Sequence, residues 1–206
     1  GADQGGFSRA AQADDGHELA LIDGQAGVLQ PLRAVGIDLV DMFEYDTHLT
    51  KDGHLVVVKQ IHHEPCDYYT FGNKIEAECR DYERLKNAGI RIPEMITADR
   101  ESERIVKEYI AGETVFDRVK SGRSAEAFFG QIREMAERAE AAGLNIDYFP
   151  TKFVIRDGLL WYIDYECNEY MDQWSFENWG IRYWSRTQEF EACLKEQKQR
   201  FQEPIS

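Results

Sequence analysis

NIDYFPTKFVIRDGLLWYIDYE, residues 145–166, is the stretch whose reading decides the fold of this chain. Phe153-Val154-Ile155 and Leu159 to Ile163 are apolar and β-prone, and Arg156-Asp157-Gly158 between them is a turn signal. A β-hairpin is therefore expected, with Asp147 in the loop ahead of it and Asp164 at its far end. Folding the hairpin brings its two ends together, so both carboxylates face one small volume. Two acidic groups held that way suit a divalent metal with a phosphorylated ligand, or a base beside a metal. The plainer alternative is that Asp147 caps a loop and Asp164 ends a strand, since short motifs recur by chance.

Outward from the hairpin, composition limits the possibilities. The chain has 206 residues, 43% of them hydrophobic and 12% aromatic, enough for one substantial domain or two small lobes sharing a cleft. Its net charge of −14 argues against a nucleic-acid backbone as partner and fits a cationic substrate, a basic protein, or simple solubility. Cys66, Cys79, Cys167 and Cys193 form no Cys-x-x-Cys pair and read as free thiols in a reducing compartment. His62-His63-x-x-Cys66 lacks a second ligand pair at zinc spacing. There is no apolar run of membrane-spanning length and no visible secretion signal, so no membrane span and a cytoplasmic location are expected.

Along the chain, residues 1–17 read as a mobile polar tail. Strands are expected at Glu18 to Asp23 and Gln30 to Val35, then as a pair at Leu39 to Tyr45 and His54 to Ile61 joined through Thr50-Lys51-Asp52-Gly53. A helix follows from Gly72 or Asn73 to Asn87, with Ile75, Cys79, Tyr82 and Leu85 at helical spacing. Two further strands are expected at Ile90 to Ile96 and Arg104 to Ile110, with Ala111-Gly112 as linker. The second half turns helical: Ser124 caps a helix to Ala142 with Phe128, Ile132, Met135 and Ala139 on one face. Further helices are expected around Phe176 to Trp184 and from Thr187 to near Gln202. This order is an α+β layout in two lobes.

Asp147, Lys152 and then Ile163-Asp164-Tyr165-Glu166 resemble the catalytic loop and metal-binding segment of the protein-kinase-like superfamily. The Ile-Asp-Tyr-Glu wording is similar to choline/ethanolamine kinases and aminoglycoside phosphotransferases, and the length to minimal kinase-like proteins of the RIO type. The resemblance implies an antiparallel N-lobe over residues 18–106, a hinge at 107–112 and a small, mainly helical C-lobe over 113–206. It implies ATP and Mg²⁺ as cofactors, with Lys59 on the phosphates and Glu78 as its ion-pair partner. At the hinge, the backbone of Glu108 and Ile110 would bond the adenine edge. Asp147 and Lys152 take the catalytic positions, and Asp164 with Glu166 the metal. The implied reaction moves the γ-phosphate to a hydroxyl of a protein Ser/Thr or a small cationic amino alcohol. Trp179 and Tyr183 are candidates for holding the amine, and packing of the helix onto the hairpin is the alternative use of those rings. A pseudokinase that binds nucleotide or protein without turnover is the other reading.

This sequence departs from the family pattern in four places. Asn145 stands where a His is usual. Lys152 replaces a metal-binding Asn, and an ammonium repels Mg²⁺ rather than ligating it. Only Gly24, Gly27 and Gly36 are available for a glycine-rich loop, and no Ala-Pro-Glu segment follows.

Overall fold

The computed structural model describes residues 43–50, 53–61 and 74–200. The expected tail, the strands at Glu18 to Asp23 and Gln30 to Val35, the loop candidates Gly24, Gly27 and Gly36, and His62-His63-x-x-Cys66 lie outside the described residues.

The first half is an antiparallel sheet with a helix after its second strand. Strand β1 (Phe43–Leu49) pairs with β2 (Leu55–Ile61), and helix α1 (Lys74–Asn87) follows. Then come β3 (Met95–Asp99) and β4 (Arg104–Glu108), and the strand order is β1-β2-β4-β3. The first strand runs four residues beyond the expected end at Tyr45, because Asp46, Thr47 and His48 join the ladder although none is apolar. Pairing through the backbone needs no apolar side chain. Helix α1 buries Ile75, Tyr82 and Leu85 as its spacing predicts, while Cys79 is only partly covered.

The strand expected from Ile90 begins instead at Met95. Pro93 has no N–H to give a ladder, and the carbonyls here serve other partners. Arg91 O accepts from Tyr162 N, Pro93 O from the Tyr165 hydroxyl, and Glu94 O from Glu108 N. The segment therefore docks the sheet onto the hairpin.

Beyond β4, residues 109–112 lead into the two-residue strand β5 (Glu113–Thr114) and the short helix α2 (Val115–Lys120), which the sequence reading missed. Thr114 caps α2 by accepting from Asp117 N at 3.0 Å. Helix α3 (Phe129–Ala141) is preceded by a 3-10 turn (Glu126–Phe128), and its expected face is buried: Phe128, Ile132, Met135 and Ala139. Strand β6 (Leu144–Ile146) precedes the hairpin itself, β7 (Phe153–Arg156) and β8 (Leu159–Tyr162). Asp157 and Gly158 turn it with φ of 52° and 74°, the two left-handed positions a tight hairpin turn needs.

Strand β9 (Cys167–Glu169) then returns antiparallel to β6, a pairing too short to leave a period in the sequence. The helix expected over Phe176 to Trp184 is instead a run of turns ending in a 3-10 segment (Gly180–Tyr183). Gly180 and Ile181 bond five residues back, and glycine is a poor helix former at mid-segment. Helix α4 (Gln188–Arg200) ends the described chain.

One continuous apolar cluster joins Ile61 and Ile105 of the sheet, through α1, to Phe153, Leu160, Tyr162, Phe176 and Trp184. Trp184 is fully buried against Phe153 and Phe176 and donates Nε1–H to Tyr148 O at 2.8 Å. Cys79 and Cys167 are free thiols. Among the described residues, no helix is long and apolar enough to cross a membrane.

Gly112, expected as linker, is a packing position. A Cβ there would lie 2.2 Å from Ile155 O, whereas one at Gly130 in α3 meets nothing within 4 Å. In urea unfolding, Gly112→Ala is expected to lose about 1–3 kcal/mol by overpacking. Gly130→Ala is expected to gain about 0.5–1 kcal/mol.

Candidate functional site

The site begins on one face of the first sheet. Lys59 faces Ile105 in the β2–β4 register, and Val57 faces Lys107, so both lysines project from the same side. Both are buried, at 2% and 5% exposure. Two ammonium groups on one buried face repel each other, and the fold answers with a partner for each. Lys59 forms an ion pair with Glu78 of α1, as expected. The second Glu78 oxygen, Oε2, is buried with no hydrogen-bond partner among the described residues.

Lys107 reaches across to the hairpin. Its Nζ donates to Ile163 O at 2.7 Å and stands 4.9 Å from the centre of the Tyr165 ring. Burial pushes its pKa down to about 8; the Asp164 charge opposes that shift and Lys59 adds to it. In the sequence reading Lys107 is only the first residue of the expected hinge, 107–112. Its signal was there: strand alternation puts it on the same face as buried Ile105, and a lysine in such a place needs a purpose.

Asp164 is the carboxylate on which these cations converge. It is 8% exposed, its Oδ1 accepts from Tyr165 N at 2.8 Å, and its Oδ2 accepts from Lys152 Nζ at 2.7 Å. Burial opposes its ionisation, but the charges of Lys152, Lys59 and Lys107 together outweigh that and hold its carboxyl well below the usual carboxylate range. The backbone around it is pinned on both sides. Ile163 N donates to Lys152 O at 2.9 Å, and the Tyr165 hydroxyl donates to Pro93 O at 3.0 Å.

Asp147 is held in a tight local turn, its Oδ1 accepting from Phe149 N at 2.9 Å. Its pKa is raised: burial is the main cause, the Asp164 charge adds, and Lys152 opposes. Glu166 is raised too, by desolvation first and then by the charges of Asp164 and Asp147. Tyr162 ties these acids together, accepting from Asp147 N at 3.3 Å and donating to Glu166 O at 2.8 Å. The hairpin thus brings Asp147, Lys152, Asp164 and Glu166 into one electrostatic neighbourhood, the sheet adds Lys59, and α1 adds Glu78.

The remaining candidates are more scattered. Glu108 ends β4, where its side chain pairs with Arg156 at 2.8 Å, and Ile110 is buried two residues on. Trp179 and Tyr183 do share a face, 5.3 Å apart, but they are half-buried and stack on Phe149. Trp174, half exposed, extends this ladder at 5.9 Å from Trp179. Glu177 is spent on a surface ion pair with Arg133.

The donor set does not fit the divalent cation that the resemblance implies. Among the described residues, no group of three or more His, Cys, Asp or Glu is arranged to hold a metal ion. Both Asp164 oxygens are engaged, one of them by an ammonium, and an incoming Mg²⁺ would face three lysines acting on that carboxylate.

The low pKa of Lys107 makes a stability prediction. Between pH 8 and the ordinary lysine value, the unfolded chain binds this proton and the folded chain does not, so stability from this group rises with pH over that window. Lys107→Met is expected to flatten the rise. The check is urea unfolding of both proteins at pH 7.5, 8.5 and 9.5, about 1 kcal/mol per pH unit separating the two slopes.

Compared with known proteins, the chain matches no family model and no curated sequence.

Proposed function

We propose that this chain is an ATP-binding phosphotransferase of the kinase-like, two-lobed type, moving the γ-phosphoryl group to a hydroxyl. The observation that carries the reading is the convergence of Lys59, Glu78, Asp147 and Asp164. These residues are far apart in sequence, and each stands in the order and on the element the resemblance implies. The antiparallel sheet with one helix after the Lys59 strand, followed by a half that mixes three α-helices with five short strands, is compatible with the same reading.

In this proposal Lys59, steadied by Glu78, orients the phosphates, and Lys152 neutralises phosphate charge. The backbone at Glu108 and Ile110 meets the adenine edge. The acceptor oxygen attacks the γ-phosphorus, its proton passes to the Asp147 carboxylate, and the bond to the bridging oxygen breaks, so that ADP leaves with that electron pair. A raised pKa makes Asp147 a better proton acceptor than an ordinary aspartate. The aromatic ladder through Phe149, two residues past Asp147, supports a small cationic amino alcohol as acceptor beside the protein-hydroxyl alternative.

A second reading, a nucleotide-binding module without turnover, is favoured by one observation. The carboxylate of Asp164 that would hold a metal is bonded to Lys152.

Thermal-shift titration with ATP tests the reading first. A rise in Tm is expected in the wild type, with apparent affinity at least about tenfold weaker in Lys59→Met and Glu78→Gln, both of which break the buried pair. Phosphate transfer to choline, ethanolamine, aminoglycosides and generic protein substrates separates the two uses. Asp147→Asn is expected to cut turnover about 10²–10⁴-fold while ATP binding holds. No Tm shift at millimolar ATP sinks the nucleotide reading. Binding without any transfer leaves the non-catalytic module.

A further inference from the structure

The geometry points to a nucleotide site that takes the polyphosphate as its metal-free anion, with Lys152, flanked by Lys59 and Lys107, supplying the cationic charge that a divalent ion would otherwise bring. This inference rests on the nucleotide cleft proposed above and adds how that cleft handles phosphate charge.

Three features carry it. Lys152 donates to Asp164 Oδ2 at 2.7 Å, so an ammonium occupies the carboxylate oxygen that a metal would need. The Lys152 side chain is 32% exposed while that of Asp164 is 10% exposed, so Lys152 is the more exposed member of the pair and the one a phosphate arriving from solvent meets first. Finally, Lys107 adds a third cation from the sheet, buried and bonded to the carbonyl immediately before Asp164.

Electrostatics decides between ligands. Glu78 neutralises Lys59, and the charge at Asp164 Oδ2 is the Lys152 ammonium, which attracts an oxyanion and repels a dication. The chain as a whole carries −14, so a cluster of three lysines runs against its net charge. Asp164 in this arrangement is the counter-charge on which Lys152 closes and toward which Lys59 and Lys107 act. When phosphate arrives, Lys152 exchanges one oxyanion partner for another without entering water.

The test is calorimetric binding of ATP and of inorganic tripolyphosphate to the full chain, in EDTA and in millimolar Mg²⁺. Wild type is expected to bind both in EDTA, with affinity no higher when Mg²⁺ is added, since the ion takes polyphosphate out of its metal-free form. Lys152→Asn is expected to weaken metal-free binding about tenfold or more, the value of one charge-assisted bond. Mg²⁺ should restore that loss, because an Asn oxygen ligates the ion where an ammonium repels it. Lys152→Arg, keeping the charge, should bind in EDTA within a few-fold of wild type, and a circular-dichroism melt of each variant confirms folding. Wild-type binding that requires Mg²⁺, or Lys152→Asn binding equal to wild type in EDTA, overturns the inference. Tripolyphosphate binding in EDTA without any ATP binding upholds the cationic site and removes the adenine half of the function proposed above. Neither ligand binding in EDTA overturns the inference, and ATP binding in Mg²⁺ alone then leaves the nucleotide reading standing.

Discussion

The buried carboxylate of Asp164 is the charge around which the described structure is balanced. Lys59 and Lys107 come from one sheet face and Lys152 from the turn before the hairpin, and each acts on that single acid. Burying an ion costs several kcal/mol, and the cost is recovered only where geometry and extra hydrogen bonds are good. Here they are good: one oxygen takes a backbone N–H, the other an ammonium, and Glu78 holds the most buried lysine. Such a cluster is poor evidence for stability, since apolar residues would pack as well. Its presence in a chain with ample apolar residues points to use.

The sheet and the hairpin are held together by polar links as much as by apolar packing. Lys107 to Ile163 O, Tyr162 N to Arg91 O, the Tyr165 hydroxyl to Pro93 O and Arg156 to Glu108 all cross between them. Each fixes backbone close to Asp164 or to the strand end at Glu108. Tyr162 does the same inside the second half, bridging the Asp147 turn to the Glu166 carbonyl. A ligand that pulls Lys152 away from Asp164 therefore acts on a carboxylate whose backbone is already immobilised. Side-chain exchange, with little movement of strands, is the response this arrangement permits.

Elements with a strong period were legible in the sequence. Helix α1, helix α3 and the hairpin lie where spacing and turn residues put them, and the Phe128, Ile132, Met135 and Ala139 face is buried as expected. The misses share a cause, which is that backbone partners far away in sequence decided the outcome. Residues 90–94 give their carbonyls to Tyr162, Tyr165 and Glu108 instead of forming a ladder, and β6 with β9 is a three-residue pairing without a pattern of its own. The turns near Trp184 follow from packing that buries Phe176 and Trp184 together around Gly180, where helix propensity is weak.

From the sequence came the candidates: Asp147 and Asp164 from the hairpin, and Lys59, Glu78 and Lys152 from the resemblance, with the warning that a lysine stands where a metal ligand is usual. Local rules suffice for the hairpin and its two aspartates, because turn residues and strand patterns are properties of short stretches. Tertiary structure alone decided the rest of the pairing: Lys152 with Asp164, and Lys107 joining from a strand that had seemed only to lead into a hinge. Pairing of charges depends on distances between elements 12 to 56 residues apart in the chain, and no period in the sequence encodes those.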